Sequence, residues 1–229
     1  AYFDRSSGVT GFRTHLLPEV SLPLQFRSLS VVPYVGLDYT GYNLRNVETG
    51  GDTSPRRVVP IYSLDVRTQL ERVWGDGGKW LQTIEPRAQF VHVPFEDQSA
   101  LPVFDTIEPD FNLVQLFRRN RYVGLDRLSD TDQLNLGVTT RLIRTRDGSQ
   151  FLTATIGETQ YFSPRDVVLS DEEPSADSAS DYIAELGMNV NDQWKVDLGF
   201  QWDSDQSLTE LAEARVLFTP DDYRVLNLS

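Results

Sequence analysis

The sequence of 229 residues has no cysteine, one methionine and only two histidines, His15 and His92. Without cysteine there are no disulfides, no Cys-ligated zinc and no thiol nucleophile. Two isolated histidines leave little material for a histidine-rich metal site or a histidine-dependent triad. No stretch approaches the roughly 18 consecutive apolar residues of a membrane-spanning helix. The opening "AYFDRSSGVTGF" lacks the basic region and apolar run of a signal peptide. Cations are scarce as well: 21 Lys and Arg stand against 34 Asp and Glu, a net charge of −13. That balance argues against nucleic acid or an anionic membrane surface as the main partner, because phosphate rewards Lys and Arg. A hydrophobic content of 39% and a mean hydropathy of −0.36 resemble a soluble protein. They do not exclude a β-barrel, whose strands of about ten alternating residues are half polar.

What the sequence does contain is a two-residue period. Leu134, Leu136, Val138, Thr140 and Leu142 alternate with Gln133, Asn135, Gly137, Thr139 and Arg141, two sets that a helix would mix. Trp194, Val196, Leu198, Phe200 and Trp202 alternate with Gln193, Lys195, Asp197 and Gln201. Tryptophans at both ends of an apolar face suit an interfacial aromatic girdle. Tyr62, Leu64, Val66 and Leu70 oppose Ser63, Asp65, Arg67, Gln69 and Glu71, and the pattern recurs over Val35–Thr40 and Asp181–Asn191. Weaker candidates are Leu16–Phe26, Trp80–Phe95, Phe151–Phe162, Leu208–Phe218 and the segment from Arg224 onward. Together these predict about ten strands and no amphipathic helix. Pro18, Pro23, Pro33, Pro60 and Pro86 lie in or beside the runs, and each deletes a ladder donor, so the first strand is the least secure.

The connections alternate in length. Short ones fall near Arg27–Ser30, at "GDGGK", "RDGS", "NDQ" and "TPDD"; longer ones are "NVETGGDTSPRR", Glu96–Thr131, "SPRDVVLSDEEPSADSAS" and "DSDQS". Short turns on one rim and long loops on the other are the pattern of an up-and-down barrel in an outer membrane. The fold expected is therefore all-β, an antiparallel up-and-down transmembrane β-barrel. A one-side-buried antiparallel sheet of a soluble protein also shows period-two strands, though such strands are usually shorter.

From Ile84 to Arg141 a series of elements carries a resemblance: Glu85-Pro86-Arg87, Val93-Pro94-Phe95 with Asp97-Gln98-Ser99, Phe104-Asp105, Leu116-Phe117-Arg118, Asn120-Arg121, Gly124, Asp126-Arg127 and the strand Gln133–Arg141. In this order they resemble the barrel of the LptD family, lipopolysaccharide-assembly outer-membrane proteins also called organic solvent tolerance proteins. Glu96 stands where the family often has a basic residue, and Thr131-Asp132 where a small residue and Asn are usual. The resemblance implies a Gram-negative outer-membrane barrel of about two dozen strands. In it lipopolysaccharide arrives from a periplasmic bridge through an N-terminal jelly-roll domain and leaves through a lateral opening. A lipoprotein, LptE, fills the lumen as a plug. On this reading residues 1–229 are an internal part of the barrel domain, without the jelly-roll or the terminal gate strands, and the implied partners are lipopolysaccharide, the LptE-type plug, the periplasmic bridge and membrane lipid.

Three groups of candidate residues follow. Leu64, Val66, Leu134, Leu136, Val138, Trp194, Leu198, Phe200 and Trp202 are expected to face lipid. Asp65, Arg67, Glu71, Glu85, Arg87, Arg141, Lys195 and Asp197 are expected to line a wet lumen. Asp65 with Glu71, or Glu85 with Asp97 and Asp105, can be drawn as a glycosidase acid/base pair. Cross-strand salt-bridge ladders explain the same carboxylates without chemistry, so no catalytic residue is assigned. The connection Glu96–Thr131 is too long for a mere link. Its Asp97, Phe104, Asp105, Phe117, Arg118, Arg121, Asp126 and Arg127 are candidates for closing the lumen or contacting the plug. The acidic Asp171-Glu172-Glu173 segment lacks calcium-loop spacing, and no metal or cofactor is implied. The readings left open are transport of lipopolysaccharide, a passive outer-membrane pore, and a soluble β-sandwich that binds or hydrolyses polysaccharide.

Overall fold

The computed structural model of the chain describes all residues except 5–7, 170–172, 192, 204–207, 222–223 and 229. In chain order the strands are β1 (Tyr2–Phe3), β2 (Thr10–Leu16), β3 (Glu19–Ser21), β4 (Leu24–Phe26), β5 (Leu29–Arg45), β6 (Arg56–Thr68), β7 (Leu70–Trp74) and β8 (Trp80–Val93). They continue as β9 (Thr131–Arg144), β10 (Gln150–Tyr161), β11 (Tyr182–Asn189), β12 (Trp194–Asp203), β13 (Leu208–Asp221) and β14 (Arg224–Leu228). All fourteen belong to one sheet with the order β1-β2-β5-β6-β8-β9-β10-β11-β12-β13-β14, in which β3 and β4 pair with β5, and β7 with β8. Every pairing is antiparallel. The sheet runs up and down and is open, with β1 and β14 at its edges: it is a segment of β-barrel wall.

Prolines explain why some strands are broken without being displaced. β2, β3 and β4 meet β5 in one constant register, from Thr10↔Arg45 to Phe26↔Leu29. At Pro18 the carbonyl accepts from Leu37 N at 3.0 Å, and Pro33 accepts from Leu22 N at 3.1 Å. Neither imide nitrogen can return a bond, so half of each reciprocal pair is lost and the strand is interrupted in place. The strand expected from Leu16 begins earlier, at Thr10, as β2. β6 and β7 likewise share one register against β8, from Tyr62↔His92 to Trp74↔Trp80, and their break lies opposite Pro86. Continued beyond Tyr62↔His92, that register would set Pro60 against Pro94; with no donor on either side, the ladder ends and the chain leaves the sheet.

The rims follow the expected alternation. One carries the turn at Arg27 and Ser28, the 75–79 turn with Gly75, Gly77 and Gly78 at positive φ, and the 145–149 turn with Gly148 at φ 72°. The other carries the 46–55, 94–130 and 162–181 connections. Two elements were not legible in the sequence. β1 adds a short edge, and α1 (Leu113–Leu116) is a single helical turn capped by the Asn112 side chain, which accepts from Val114 N at 2.9 Å.

Parity sorts the side chains onto two faces. Leu64, Leu136, Val138, Trp194, Leu198 and Phe200 are exposed on one face, where Val66, Leu134 and Trp202 are half-buried. The other face is covered over β2 to β10 by the 94–130 segment. There one expectation needs correcting. Near the long-loop rim the supposedly wet parity turns apolar: Val59, Ile61, Val91 and Val93 are buried with Tyr34 and with Leu128 of the segment. Removing these side chains from water helps hold the segment on the sheet.

Candidate functional site

The site is the seam between the 94–130 segment and the covered face of the sheet. Its hub is Asp126, which has no exposed surface. One carboxylate oxygen accepts from Arg13 Nη1 on β2 and from Tyr42 Oη on β5, both at 2.7 Å. The other accepts from the backbone N–H of Phe104 (2.8 Å) and Asp105 (2.7 Å). A buried carboxylate is tolerable only when so many donors meet it. Asp105 receives the rest of the Arg13 guanidinium at 2.6 and 2.7 Å. That bond holds the Asp105 carboxyl well below the usual carboxylate range, helped by the N–H of Leu125.

A second buried cation, Arg57 on β6, gives Nη1 to Gln98 Oε1 (2.7 Å) and Nη2 to Asp38 Oδ1 (2.8 Å) and Thr40 Oγ1 (3.0 Å). Gln98 also exchanges bonds with the backbone of Leu128, donating to its carbonyl at 2.7 Å and accepting its N–H at 3.1 Å. A side-chain amide thus replaces a strand partner for the returning leg. His15 closes the cluster at 2.9 Å from Asp38. Within the segment, Ile107 and Val123 form an isolated bridge. Gly124, at φ 105°, lies so close to the other leg that a Cβ there would meet Asp105 O at 2.5 Å.

The middle of the segment rests on a pair of glycines. Gly137 on β9 and Gly157 on β10 are register partners. A Cβ at Gly137 would lie 2.9 Å from the Phe117 ring, and one at Gly157 would lie 2.4 Å from Leu116 Cδ2 and 2.6 Å from Leu136 O. The missing side chains make the floor on which α1 sits. Phe117 also stacks under Arg87 at 4.0 Å. Farther along, Arg121 and Tyr122 donate to Val167 O at 2.6 and 3.0 Å, while the Asp130 carboxylate accepts from the N–H of Asp166 and Val167. The two long connections are therefore fastened to each other as well as to the wall.

The sequence-derived candidates are distributed unevenly. Phe104 stacks on Phe3 at 4.3 Å, and Arg127 is buried against the carbonyls of Leu101 and Pro102, where desolvation pushes its pKa down. Asp97 and Arg118 do not join the seam: both are exposed, Asp97 turning back to Ser99 N and Arg118 to Gln115. Of the sheet candidates, Arg87 binds Asp65, Arg141 binds Glu85, and Lys195 lies 3.3 Å from Asp197. Glu71 is exposed and, among the described residues, accepts from Gln69 alone. The carboxylates considered as an acid/base pair are thus engaged separately: Asp65, Glu85 and Asp105 each hold a different arginine. Asp171 and Glu172 lie outside the described residues. Arg13, Asp38, Tyr42, Arg57 and the glycine pair were not singled out from the sequence as site residues. Arg13 precedes the first strand expected from the sequence and Arg57 ends the expected 46–57 connection, so the alternation assigned neither a face nor a partner.

These features define a class: an up-and-down β-barrel wall whose longest connection is folded back and locked over its polar face. The model of the family described as "LptD: LPS transport system D" matches residues 1–229, and the chain belongs to that family. It is 37% identical over 232 residues to the LPS-assembly protein LptD of Nitrosococcus oceani, covering 99% of this chain and 31% of that protein. The protein of the same name from Nitrosomonas eutropha is 36% identical over 229 residues, with 99% and 31% coverage. That from Xanthomonas campestris pv. campestris is 34% identical over 234 residues, with 96% and 29%. The chain spans less than a third of the length of these curated relatives.

Proposed function

We propose that the chain is part of the wall of an outer-membrane barrel that moves lipopolysaccharide to the cell surface and places it in the outer leaflet. The observation that carries this reading is the two-faced sheet. One parity presents bare apolar side chains such as Leu64, Val138, Leu198 and Phe200, while the other carries charged and amide groups beneath a locked connection. An amphiphile with sugars, phosphates and acyl chains needs a polar interior beside a lipid-facing exterior, and no bond is made or broken in moving it. The first parity faces lipid, the second lines the lumen, and the work is not enzymatic. The longer protein supplies what this segment cannot: the domain that meets the periplasmic bridge and the strands that complete the barrel.

In the same reading, the 94–130 segment closes the lumen from the long-loop side and offers its exposed surface to a plug lipoprotein of the LptE type. The inward packing of Phe104, Leu116 and Phe117 supports the closure. The test is depletion of the full-length protein, with measurement of surface lipopolysaccharide and of outer-membrane partitioning. Loss of surface lipopolysaccharide is expected; unchanged levels overturn the transport role, and a full-length protein monomeric in buffer without detergent overturns the barrel. Deleting Phe104–Tyr122 is expected to weaken co-purification of the lipoprotein, and full retention would remove that partner from the segment.

A further inference from the structure

One register row on the covered face runs Gln25↔Ser30↔Arg67↔Arg87↔Gly137↔Gly157 across six strands. It places Arg67 and Arg87 directly opposite each other, an arrangement of like charges that destabilises a sheet unless something neutralises it. Arg87 is accounted for: its Nε donates to Asp65 at 3.0 Å, and its guanidinium stacks on Phe117. The Arg67 side chain has neither a hydrogen bond nor an ion pair among the described residues, and the residue is exposed. It borders a cavity of about 670 Å³ below α1, into which Arg87, Arg141 and Glu85 also face. Glu85 is already taken by Arg141. Arg87 holds Asp65 and Arg141 holds Glu85, so Arg67 leaves the cavity with one excess positive charge, inside a chain whose net charge is −13.

The remaining polar lining is hydroxyl and amide, from Ser30, Gln69, Thr139 and Thr155, beside the apolar Pro86, Leu113 and Phe117. Guanidinium groups in a fork suit an oxyanion, and neutral donors and acceptors around them suit a polyol. We propose that Arg67, with Arg87 beside it, is a binding station on the lumen wall for a phosphate-bearing saccharide. This rests on the transport reading, because a passing lipopolysaccharide would bring such a group to this wall. The docked α1 roofs the station, and the paired glycines let it do so.

The test uses the full-length protein in detergent, titrated calorimetrically with glucose 1-phosphate, glucose and inorganic phosphate. Glucose 1-phosphate is expected to bind, glucose not to bind, and inorganic phosphate to bind several-fold more weakly. Arg67→Gln is expected to weaken glucose 1-phosphate about tenfold or more, with Arg67→Lys in between. Since the Arg67 side chain has no partner to lose among the described residues, both variants should keep the parent's heat-modified migration on gels, which shows the barrel intact. Unchanged affinity in Arg67→Gln overturns the station, and equal binding of inorganic phosphate reduces it to a plain anion site and overturns the saccharide. If depletion leaves surface lipopolysaccharide unchanged while Arg67→Gln still abolishes binding, the transport reading fails and the station stands. The reverse pair of results removes the station alone.

Discussion

Arg13 and Asp126, 113 residues apart in sequence, meet at 2.7 Å with both side chains buried. This contact joins the sheet's second strand in spatial order to the returning leg of the longest connection, and it turns that connection from a loop into part of the wall. Asp126→Ala would leave the Arg13 guanidinium, the Tyr42 hydroxyl and two backbone N–H groups short of an acceptor. Loss of one partner of a buried pair costs about 3–5 kcal/mol. The expected result is rapid protease cleavage within residues 94–130 while the strands stay protected; an unchanged digestion pattern would show that the segment is held elsewhere.

Gly157→Ala tests the floor under α1. Its Cβ would meet not only the mobile end of Leu116 but also the fixed backbone oxygen of Leu136. Overpacking of this kind costs about 1–3 kcal/mol. The expected readout is a lower thermal midpoint together with new protease access at 113–117. If Gly157→Ala melts like the parent, α1 does not sit where the glycine pair puts it.

Acid should release the segment late. The Asp105 carboxyl is held below its ordinary range by Arg13, so its folded pKa is depressed. Its stabilisation is then complete above the unfolded value of about 3.9 and disappears as pH falls through the folded one. Protection of residues 94–130 is expected to be flat from neutral pH to about 5 and to decline only below about 4. Asp105→Asn should abolish that acid limb; a variant with the same limb would move the titration to another carboxylate.

The two faces can be told apart by inserting charge. Arginine at Leu136 or Leu198 should cost about 2–4 kcal/mol in a bilayer if that parity faces lipid near the midplane, as proposed. Thr155→Arg, on the opposite parity beside open lumen and in register with Glu185, should cost within about 1 kcal/mol. Asn135 is not a suitable control for that face despite its polar parity. It is completely buried, donating to Gln89 at 3.0 Å and accepting from Thr159 at 2.9 Å. Equal losses at Leu136 and Thr155, read from unfolding in lipid vesicles, would contradict the assignment of faces.

Local sequence determined the sheet. Which side chains share a face follows from a period of two, and a proline lacks a ladder donor, so Leu134 to Leu142 and the interruption at Pro18 were legible from residues read a few at a time; the break between β6 and β7 was not, because it lies opposite Pro86 on the neighbouring strand. The lengths of the connections were legible for the same reason. Tertiary structure decided the rest, because it depends on which residues meet across the register and on where the 94–130 segment lands. Val59 and Val91 are buried rather than wet because Leu128 arrives over them, and Asp126 is a hub because Arg13, Tyr42 and the 104–105 backbone converge on it. Arg67 stands free because the pairing sets it against another arginine. Alternation names the face of a charge, and only the folded register names its neighbour.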